Sequence, residues 1–374
     1  MSPARPVRTA ERTPRALGFR MPGEWARHTS TWIAWPHERS DWPGSFGRIP
    51  SVYVAIVREL SRGERVEILV GSRDVERRVR RELERADVPI ERIGWHHWPT
   101  DRSWVRDSGP TFVVRARARA RSSAVGAVRW RFNAWARYDN WRHDVTVGER
   151  IAAEAGARSW APRRHGRAVV LEGGALDANG AGLLLTTEEC LLGTEQVRNP
   201  GFGRDDYERI FADYLGVDRV LWLPRGIVGD DTHGHVDDVA RFVSPSTIVA
   251  PVEPDPKDPN HAPLAENRSR LDAFERELPG RVRVVELPMP SAIYHGVQRL
   301  PASYANFFVA NDSVLVPLFD DPADRRALAT LRSQFPGRRV VGIPSRDLVL
   351  GLGTLHCLTQ PEFAAGAALR ARPS

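Results

Sequence analysis

Four short stretches decide the fold, because each has the pattern of an apolar strand, a polar turn and a second apolar strand. They begin at Phe112-Val-Val-Arg115, Leu176-Asp-Ala-Asn-Gly-Ala-Gly-Leu-Leu-Leu185, Phe242-Val-Ser-Pro-Ser-Thr-Ile-Val-Ala250 and Val309-Ala-Asn-Asp-Ser-Val-Leu-Val316. Polar tips such as Asn-Gly and Asn-Asp-Ser are typical of β-hairpins. The four starts lie 64, 66 and 67 residues apart, so the sequence indicates a repeated unit of about 66 residues.

Segments with apolar residues at helical spacing lie between these hairpins, and further β-like runs follow them. The predicted helices are Arg73–Ala86, Asp205–Tyr214, Asn267–Leu278 and Asp321–Phe335, and the predicted strands after them include Arg219–Leu223, Val282–Leu287 and Arg339–Ile343. One repeat is therefore strand, strand, helix, strand, and 374 residues hold about five repeats. Five such units closing into a ring predict one α/β domain with an axial channel. An open doubly wound sheet is disfavoured, because the sequence lacks its Gly-x-Gly-x-x-Gly turn.

The composition is that of a globular protein, with 41% hydrophobic and 27% charged residues. Residues 1–17 are rich in Arg, Pro and Thr without an apolar period, which predicts a disordered tail before a single domain over residues 18–374. No run approaches the roughly 18 apolar residues of a membrane-spanning helix, and the N-terminus lacks the apolar region of a secretory signal. Two cysteines, Cys190 and Cys357, are too few for a disulfide framework. We therefore expect a cytoplasmic protein with no membrane partner.

The net charge of +7 raises the question of nucleic-acid binding. The positive charge is almost all arginine, spread along the chain among nearly as many acidic residues, 54 basic against 47 acidic. The one local run, from Arg115 to Arg121, alternates with alanine, which fits the exposed face of a strand or hairpin better than a basic helix. We therefore expect no nucleic-acid partner.

Polar residues stand at equivalent places just ahead of three hairpins. Asp107, Glu172 and Asp237 lie five, four and five residues before the first apolar residue of their hairpins. His235 comes with the third hairpin, and the last unit brings in Cys357. If the repeats form a ring, these side chains converge near one axis.

Each of these residues also has an ordinary structural explanation. In that explanation, Asp107 forms a simple ion pair with its neighbour Arg106, Glu172 caps a turn, and His235 belongs to the core or to a loop. Buried cysteines are usually inert packing, which applies to Cys357 and is our interpretation of Cys190. Only their recurrence in register favours a common site.

The chemistry that suits such a set is attack on a guanidinium group. A cysteine becomes a nucleophile as a thiolate, and carboxylates in the same pocket oppose a thiolate unless the substrate is a cation. A planar guanidinium presents N–H donors that two carboxylates hold in a fork, which exposes its central carbon to sulfur. A histidine such as His235 then protonates the departing ammonia.

At these motifs the sequence resembles the agmatine deiminase family, with the related bacterial peptidylarginine deiminases, of the guanidine-modifying (pentein) superfamily. The similar blocks occur in the same order along most of the chain. They include Met21-Pro-Gly-Glu-Trp25, Trp32-Ile-Ala-Trp-Pro-His37, Trp104-Val-Arg-Asp-Ser-Gly-Pro-Thr111, Leu171-Glu-Gly-Gly174, Leu185-Thr-Thr-Glu-Glu-Cys190, Arg198-Asn-Pro200, Gly234-His-Val-Asp237, Ala302-Ser-Tyr-Ala-Asn306 and His356-Cys-Leu-Thr-Gln360. The resemblance implies a five-bladed α/β propeller.

The resemblance also implies a role for each candidate catalytic residue. Cys357 corresponds to a nucleophile that forms a covalent thiouronium intermediate, and His235 to the general acid and base. Asp107 and Asp237 correspond to the carboxylates that grip the guanidinium, and Glu172 to an acid that supports the histidine. No metal or organic cofactor is implied. The implied products are ammonia and a ureido compound, which for agmatine is N-carbamoylputrescine.

Several positions around this inventory bear on which small guanidino compound is the substrate. By the resemblance, Trp104 walls the pocket, and Asp231, where the family often has Glu, receives a distal ammonium. His233 replaces the usual Asp or Asn two residues before the catalytic histidine, and the hypothesis is that it lines the pocket. The usual Gly-Gly-Gly-Asn before the nucleophile is Gly351-Leu-Gly-Thr354 here, which makes Thr354 a further candidate for substrate binding. Agmatine is the first expectation; free arginine, peptidyl arginine and other guanidines are the alternatives.

Two readings from other functional classes stay open at this point. His233-Gly-His-Val-Asp-Asp238 has the His-x-His-x-Asp spacing of metallohydrolase zinc sites, although a further histidine normally follows the aspartate. A non-catalytic guanidine-binding protein is expected to lose the nucleophile or the histidine, and this chain retains both. The sequence leaves open whether the chain assembles into a homo-oligomer.

Overall fold

The computed structural model describes residues 12–115 and 124–366 as a mixed α/β structure. Residues 1–11 of the predicted tail, and most of the run of alternating arginine and alanine (116–121), lie outside the described residues. The end predicted for the tail is placed too late, because Arg15–Leu17 form a 3-10 helix. Arg15 anchors this turn by donating to the carbonyl of Val217 and to the carboxylate of Asp218.

The described residues contain twenty strands. They are β1 (His28–Ala34), β2 (Arg65–Leu69), β3 (Ile93–His96), β4 (Thr111–Val114), β5 (Val125–Val128), β6 (Arg158–Trp160), β7 (Arg163–Arg164), β8 (Arg167–Ala168), β9 (Asp177–Ala178), β10 (Leu183–Thr187), β11 (Arg219–Leu223), β12 (Arg241–Ser244), β13 (Thr247–Val252), β14 (Arg283–Pro288), β15 (Tyr294–His295), β16 (Gln298–Arg299), β17 (Phe308–Val309), β18 (Ser313–Leu318), β19 (Arg339–Pro344) and β20 (Gln360–Phe363).

The four predicted hairpins are present, and each belongs to a three-stranded sheet of the same design. The first two strands pair antiparallel, and the second pairs parallel with a third strand that follows the helical segment of the repeat. These sheets are β4–β5–β6, β9–β10–β11, β12–β13–β14 and β17–β18–β19. A fifth sheet, β20–β1–β2–β3, has the same pattern but takes its first strand from near the C-terminus of the chain. Small two-stranded sheets, β7–β8 and β15–β16, lie apart from these five.

The helices cover the sheets in the order that the sequence predicts. They are α1 (Ile49–Leu60), α2 (Arg73–Arg85), α3 (Val105–Ser108), α4 (Val147–Glu154), α5 (Glu188–Leu192), α6 (Arg204–Ile210, continued by one π-helical turn over Phe211–Leu215), α7 (His261–Glu277), α8 (Asp324–Gln334) and α9 (Leu355–Leu358). Helix α7 begins six residues earlier than predicted, because Pro263 falls in its first turn, where a missing N–H costs nothing. Helix α8 begins later than predicted, because Asp321 forms a separate turn with Ala323.

Local chemistry explains why these elements start and turn where they do. The hairpin tip between β9 and β10 is an Asx turn, in which the side chain of Asn179 accepts from the N–H groups of Ala181 and Leu183. Gly180 follows with φ 71°, a left-handed conformation that glycine adopts without strain. At the start of α2, the hydroxyl of Ser72 caps the helix by accepting from the N–H of Val75.

Apolar side chains from the helices and sheets form five buried clusters, each of which contains strand residues from two of the five larger sheets. Helix α2 shows how a face is selected: Val79 and Leu83, four residues apart, are buried, while the surrounding arginines are not. Among the described residues, no helix has the length and apolarity to span a membrane.

Candidate active site

Each of the five similar sheets has a buried polar residue just before its first strand. They are Asp107 before β4, Glu172 before β9, Asp237 before β12, Asn306 before β17 and Cys357 before β20. Asp107, Asp237 and Cys357 lie within short helical turns, and Glu172 directly precedes one. The sequence analysis selected four of these five positions.

Asp107 is held on both carboxylate oxygens by neutral donors. The backbone N–H of Gly174 donates to Oδ1 and the indole N–H of Trp135 donates to Oδ2, each at 2.9 Å. Burial raises the pKa of Asp107 to about 6, and the neighbouring Asp237 and Glu172 carboxylates add to the shift. The carboxylate is therefore held in place by neutral donors.

His235 lies between two carboxylates. Its Nδ1 is 4.0 Å from Oδ2 of Asp107, and its Nε2 is 3.6 Å from Oε2 of Glu172. Although burial opposes the charged ring, Asp107, Cys190 and Glu172 raise the pKa of His235 well above its usual range. Gly174 makes room for the ring, since a Cβ there would lie 2.5 Å from Nδ1. The charged form of this buried histidine is thus favoured.

Glu172 has an arginine partner that the sequence analysis missed. Nε of Arg198 donates to Oε1 of Glu172 at 3.2 Å, and both side chains are fully buried. Although burial opposes ionisation, Arg198 and then His235 lower the pKa of Glu172. The motif Arg198-Asn-Pro200 was noted only as part of a similar block, because nothing in it showed which acid the arginine meets 26 residues away.

Cys357 lies in α9, where its sulfur is close to a carboxylate and to an amide N–H donor. Its Sγ is 3.6 Å from Oδ2 of Asp237 and 3.1 Å from Nδ2 of Asn306. Burial raises the pKa of the Cys357 thiol well above its usual range, and the carboxylates of Asp237, Asp238 and Asp107 add to the shift. Without a bound cation, the thiol form is therefore favoured.

Asn306 is the second residue that the sequence analysis missed. Its Nδ2 donates to Sγ of Cys357 and to Oδ1 of Asp238, while its Oδ1 accepts from the hydroxyl of Thr354 and the N–H of His356. The signal was available in the repeat register, because Asn306 precedes the fourth hairpin as the carboxylates precede theirs. Asn306 was not predicted because the candidates were chosen among titratable side chains, and its amide does not titrate.

A second buried cluster lies behind Asp237, and we call it the Glu24 network: Glu24, Arg106, Asp177, Arg241 and His356. Oε1 of Glu24 accepts from Arg241 and from the N–H of Val309, and Oε2 accepts from Arg106 and lies 3.0 Å from Nε2 of His356. Nδ1 of His356 lies 2.7 Å from Oδ2 of Asp237. Although burial opposes ionisation, the hydrogen bond from His356 and nearby positive charges lower the pKa of Asp237.

A cavity of about 290 Å³ opens onto Asp107 and Cys357. Trp104 forms part of its wall, as the resemblance implied, and Asp231 lies farther along the lining next to Tyr138, whose hydroxyl donates to the Asp231 carboxylate. Other polar or charged side chains of the lining come from Arg102, from Asp41 and from strands β15 and β16. The predicted residues His235, Glu172 and Asp237 lie directly behind this lining.

Two candidate substrate-binding residues are placed differently from the prediction. Neither His233 nor Thr354 is among the described residues that line the cavity. His233 has φ 65°, and its ring points toward Gly193, while the hydroxyl of Thr354 donates 2.8 Å to Asn306. Thr354 therefore supports Asn306, and His233 is removed from the cavity by its left-handed backbone.

The loop before the nucleophile keeps glycine where space demands it. A Cβ on Gly353 would lie 2.9 Å from the Trp104 ring and 3.2 Å from Sγ of Cys357, and one on Gly351 would lie 2.7 Å from the Trp42 indole nitrogen. Between them, Leu352 takes a left-handed φ of 66°. The departure from three glycines thus leaves both crowded positions unchanged.

The metallohydrolase reading does not match the geometry. Among the described residues, the grouping of His, Cys, Asp and Glu ligand atoms close enough to hold one ion consists of Glu172, Cys190 and His235. It contains one of the three residues of the His-x-His-x-Asp motif. It also contains Cys190, which the sequence analysis interpreted as inert packing.

Comparison with known proteins agrees with this arrangement. The model of the Porphyromonas-type peptidyl-arginine deiminase family matches residues 20–362. An agmatine deiminase of Pseudomonas savastanoi pv. phaseolicola is 37% identical over 95% of this chain and 98% of its own length.

Solved structures show the same relationship. An agmatine deiminase of Enterococcus faecalis superposes with a TM-score of 0.85 at 30% identity, over 96% of this chain and 99% of that one. A cysteine-to-serine variant of C. jejuni agmatine deiminase with substrate bound has a TM-score of 0.80 at 26% identity, over 93% and 97% of the two chains. These matches confirm the resemblance drawn from the motifs. With nearly all of its length covered by the family model, the chain belongs to the Porphyromonas-type peptidyl-arginine deiminase family.

Proposed function

We propose that this protein is a cysteine-dependent hydrolase of guanidinium groups, with agmatine as its substrate and N-carbamoylputrescine and ammonia as its products. The observation that carries the proposal is the placement of Cys357 and Asp107 on one small cavity, with His235 in contact behind them. The proposed chemistry uses protein side chains and water only. We also propose that residues 18–374 form one domain, in which the five similar sheets close into a five-bladed α/β propeller around this site.

The first step is binding of the guanidinium cation by carboxylates. Asp107 faces the cavity with an elevated pKa and accepts hydrogen bonds from neutral donors, and Oδ1 of Asp237 is buried with no hydrogen-bond partner among the described residues. A guanidinium supplies the missing donors and a positive charge that favours the charged form of Asp107. The same positive charge favours the thiolate of Cys357, whose proton passes to solvent as the substrate binds.

The second step is attack of sulfur on the central guanidinium carbon. An S–C bond forms, and His235, protonated because Asp107 favours its charged ring, transfers a proton to the departing nitrogen as the C–N bond breaks. Ammonia leaves, and the remaining thiouronium is bonded to Cys357. The now neutral histidine takes a proton from water, whose oxygen attacks the same carbon and releases the ureido product and the thiolate.

The charges along the cavity favour agmatine over arginine. The lining carries three carboxylates, Asp41, Asp107 and Asp231, and one arginine, Arg102. That arginine is already engaged: it donates to Asp41 at 2.7 Å and lies over the Tyr138 ring at 4.2 Å. A dication with a guanidinium and a distal ammonium therefore complements the lining, whereas an α-carboxylate would meet a lining with more carboxylates than cations.

Ammonia release by the wild type and by Cys357→Ala tests the proposal across agmatine, free arginine, a blocked arginyl peptide and simple guanidines. We expect turnover of agmatine ahead of the other compounds, abolished by the substitution. A preference for another guanidine would overturn the substrate and keep the mechanism. Silence on every guanidine, with a wild type that melts cooperatively, would overturn the proposed function.

A further inference from the structure

The contact between Cys190 and His235 has no part in the reaction proposed above. Cys190 is buried in α5, and one ligand atom each from Cys190, Glu172 and His235 all lie within 4.8 Å of one another. Two of these polar groups are also incompletely paired, since neither Oε2 of Glu172 nor Nε2 of His235 has a hydrogen-bond partner among the described residues. The two atoms face each other at 3.6 Å.

We propose that this pocket behind His235 is a binding site for one thiophilic divalent cation, such as Zn²⁺, and that the bound ion inhibits the enzyme. Thiolate, imidazole and carboxylate are the zinc ligands of proteins, at bond lengths that place tetrahedral ligand atoms about 3.3 to 3.6 Å apart. The observed separations, 3.6 Å and at most 4.8 Å, are within about 1 Å of that spacing. Binding of the ion does not depend on the proposed function, whereas the inhibition does.

The surroundings orient the three ligands toward one point. Arg198 occupies Oε1 of Glu172, which leaves Oε2 for the ion. Asp107 lies on the Nδ1 side of His235, so Nε2 is the nitrogen directed at the pocket. A carboxylate on the far side of a ligand histidine is a common support for a bound metal. The N–H of Cys190 is fixed by the hydroxyl of Thr187 at 3.1 Å, which holds the cysteine in register.

An ion bound there would inhibit by coordinating Nε2 of His235, on the side of the ring away from the cavity. With Nε2 bound to the metal, the ring holds at most one proton, at Nδ1, and gives it up only as an imidazolate, so the ring no longer alternates between imidazolium and imidazole. Inhibition therefore arises without any contact between the ion and the cavity where substrate binds.

The chain offers a direct test because it has two cysteines and each can be removed separately. Cd²⁺ is added to the metal-free wild type, Cys190→Ala and Cys357→Ala, and the ultraviolet thiolate-to-cadmium charge-transfer band is recorded together with equilibrium dialysis. We expect one Cd²⁺ per chain in the wild type and in Cys357→Ala, displaced by Zn²⁺. Removal of Cys190 should abolish the band and weaken binding by at least about tenfold, the lower end of the loss when only a ligand's support is removed.

The result that overturns the proposal is a band retained in Cys190→Ala and lost in Cys357→Ala, or no band in the wild type. These measurements need no substrate, so they stand apart from any failure of the proposed activity. Cys190→Ser serves as a second variant of nearly equal size if Cys190→Ala does not melt cooperatively. With agmatine turnover as a further readout, Zn²⁺ should need at least about a tenfold higher concentration to halve the rate of Cys190→Ala than that of the wild type, each against its own metal-free rate.

Discussion

Two buried clusters of charged residues meet at His356, and they differ in how completely their polar atoms are paired. In the Glu24 network, each carboxylate oxygen of Glu24 has two partners, drawn from Arg241, Val309, Arg106 and His356. The cluster around Cys357, consisting of Asp107, Glu172, His235, Asp237 and Cys357, is buried to the same degree. In that cluster, three polar atoms lack hydrogen-bond partners within the described part of the chain: Oε2 of Glu172, Nε2 of His235 and Oδ1 of Asp237.

The difference teaches which cluster serves the fold and which serves a ligand. A buried charge is tolerated when its partners are present, and an incompletely paired one costs free energy that something else must offset. The effect on ionisation has opposite signs at Glu24 and at Asp107. Although burial opposes it, Arg241, His356 and Arg106 lower the pKa of Glu24 well below its usual range, whereas burial raises the pKa of Asp107 to about 6. The first arrangement is complete, and the second is completed by a cation.

The largest expected effect is loss of stability when the complete network is broken. Arg241→Met removes a fully buried cation, which leaves Asp177 without its arginine partner and removes one of the positively charged partners of Glu24. We expect the free energy of unfolding, measured in urea, to fall by about 3–5 kcal/mol. Arg219→Met is the matched control, because Arg219 forms a half-exposed pair with Glu277 and its loss should cost less than about 1 kcal/mol. Equal losses in both variants would contradict the distinction between the two clusters.

The pH dependence of stability should separate Asp107 from Glu24 by sign. Because the folded pKa of Asp107 is raised, the folded state holds an extra proton between about pH 4 and pH 6, and stability falls as pH rises through that window. The free energy of unfolding of Asp107→Asn, taken relative to that of the wild type, should therefore rise by on the order of 2–3 kcal/mol between pH 4 and pH 7. Urea unfolding at several pH values measures this difference.

Glu24→Gln supplies the opposite case. The folded pKa of Glu24 is lowered, so its stabilisation is present above the unfolded value of about 4.3 and is lost as pH falls toward the lower folded value. Glu24→Gln should have a lower free energy of unfolding than the wild type, and this difference should become smaller as the pH falls below about 4. A parallel response of the Asp107 and Glu24 variants would show that their environments do not differ.

Residues whose partners are close in sequence were predicted well, and residues whose partners are distant were not. The hairpin tip at Asn179-Gly180 contains the residues of a turn, and the carboxylates ahead of three hairpins recur in register. Both features could therefore be predicted from the sequence. The fifth sheet pairs β20 with β1, strands more than 300 residues apart, and no local pattern indicates that pairing. The same holds for Arg241, which meets Glu24 217 residues away.

Burial rather than residue type explains the remaining differences at the site. Thr354 and His233 were candidates for substrate binding because they stand next to catalytic positions in sequence. The backbone turns each of them elsewhere, Thr354 onto Asn306 and His233 toward Gly193. Cys190 was assigned to inert packing because a lone buried cysteine usually is inert, and only the folded chain brings it to His235.

A smaller effect is expected at the one neutral donor that contacts the nucleophile. Burial and three carboxylates raise the pKa of Cys357, whereas the hydrogen bond from Asn306 lowers it. Asn306→Ala should therefore raise the pKa of Cys357 further. We expect alkylation of Cys357 by iodoacetamide, followed by peptide mass spectrometry, to slow by about tenfold at neutral pH, the worth of one hydrogen bond to a charged group. Thr354→Val is the control, since it removes only a support of Asn306 and should slow alkylation less. An unchanged rate in Asn306→Ala would show that the amide does not stabilise the thiolate.

The smallest effect concerns the far end of the cavity, where charge sets the ranking among guanidines. Asp231 lies in the lining with a pKa that burial raises, and a distal ammonium would restore its charge. Asp231→Asn should therefore raise the KM for agmatine by about tenfold, one partly buried ion pair, and leave the KM for a guanidine without an ammonium nearly unchanged. His233→Asn, two residues along the chain, should change neither value by more than about twofold, since the His233 ring points toward Gly193 instead. If His233→Asn alters the ranking and Asp231→Asn does not, selectivity arises from the loop behind the cavity, and the acidic lining is incidental to substrate choice.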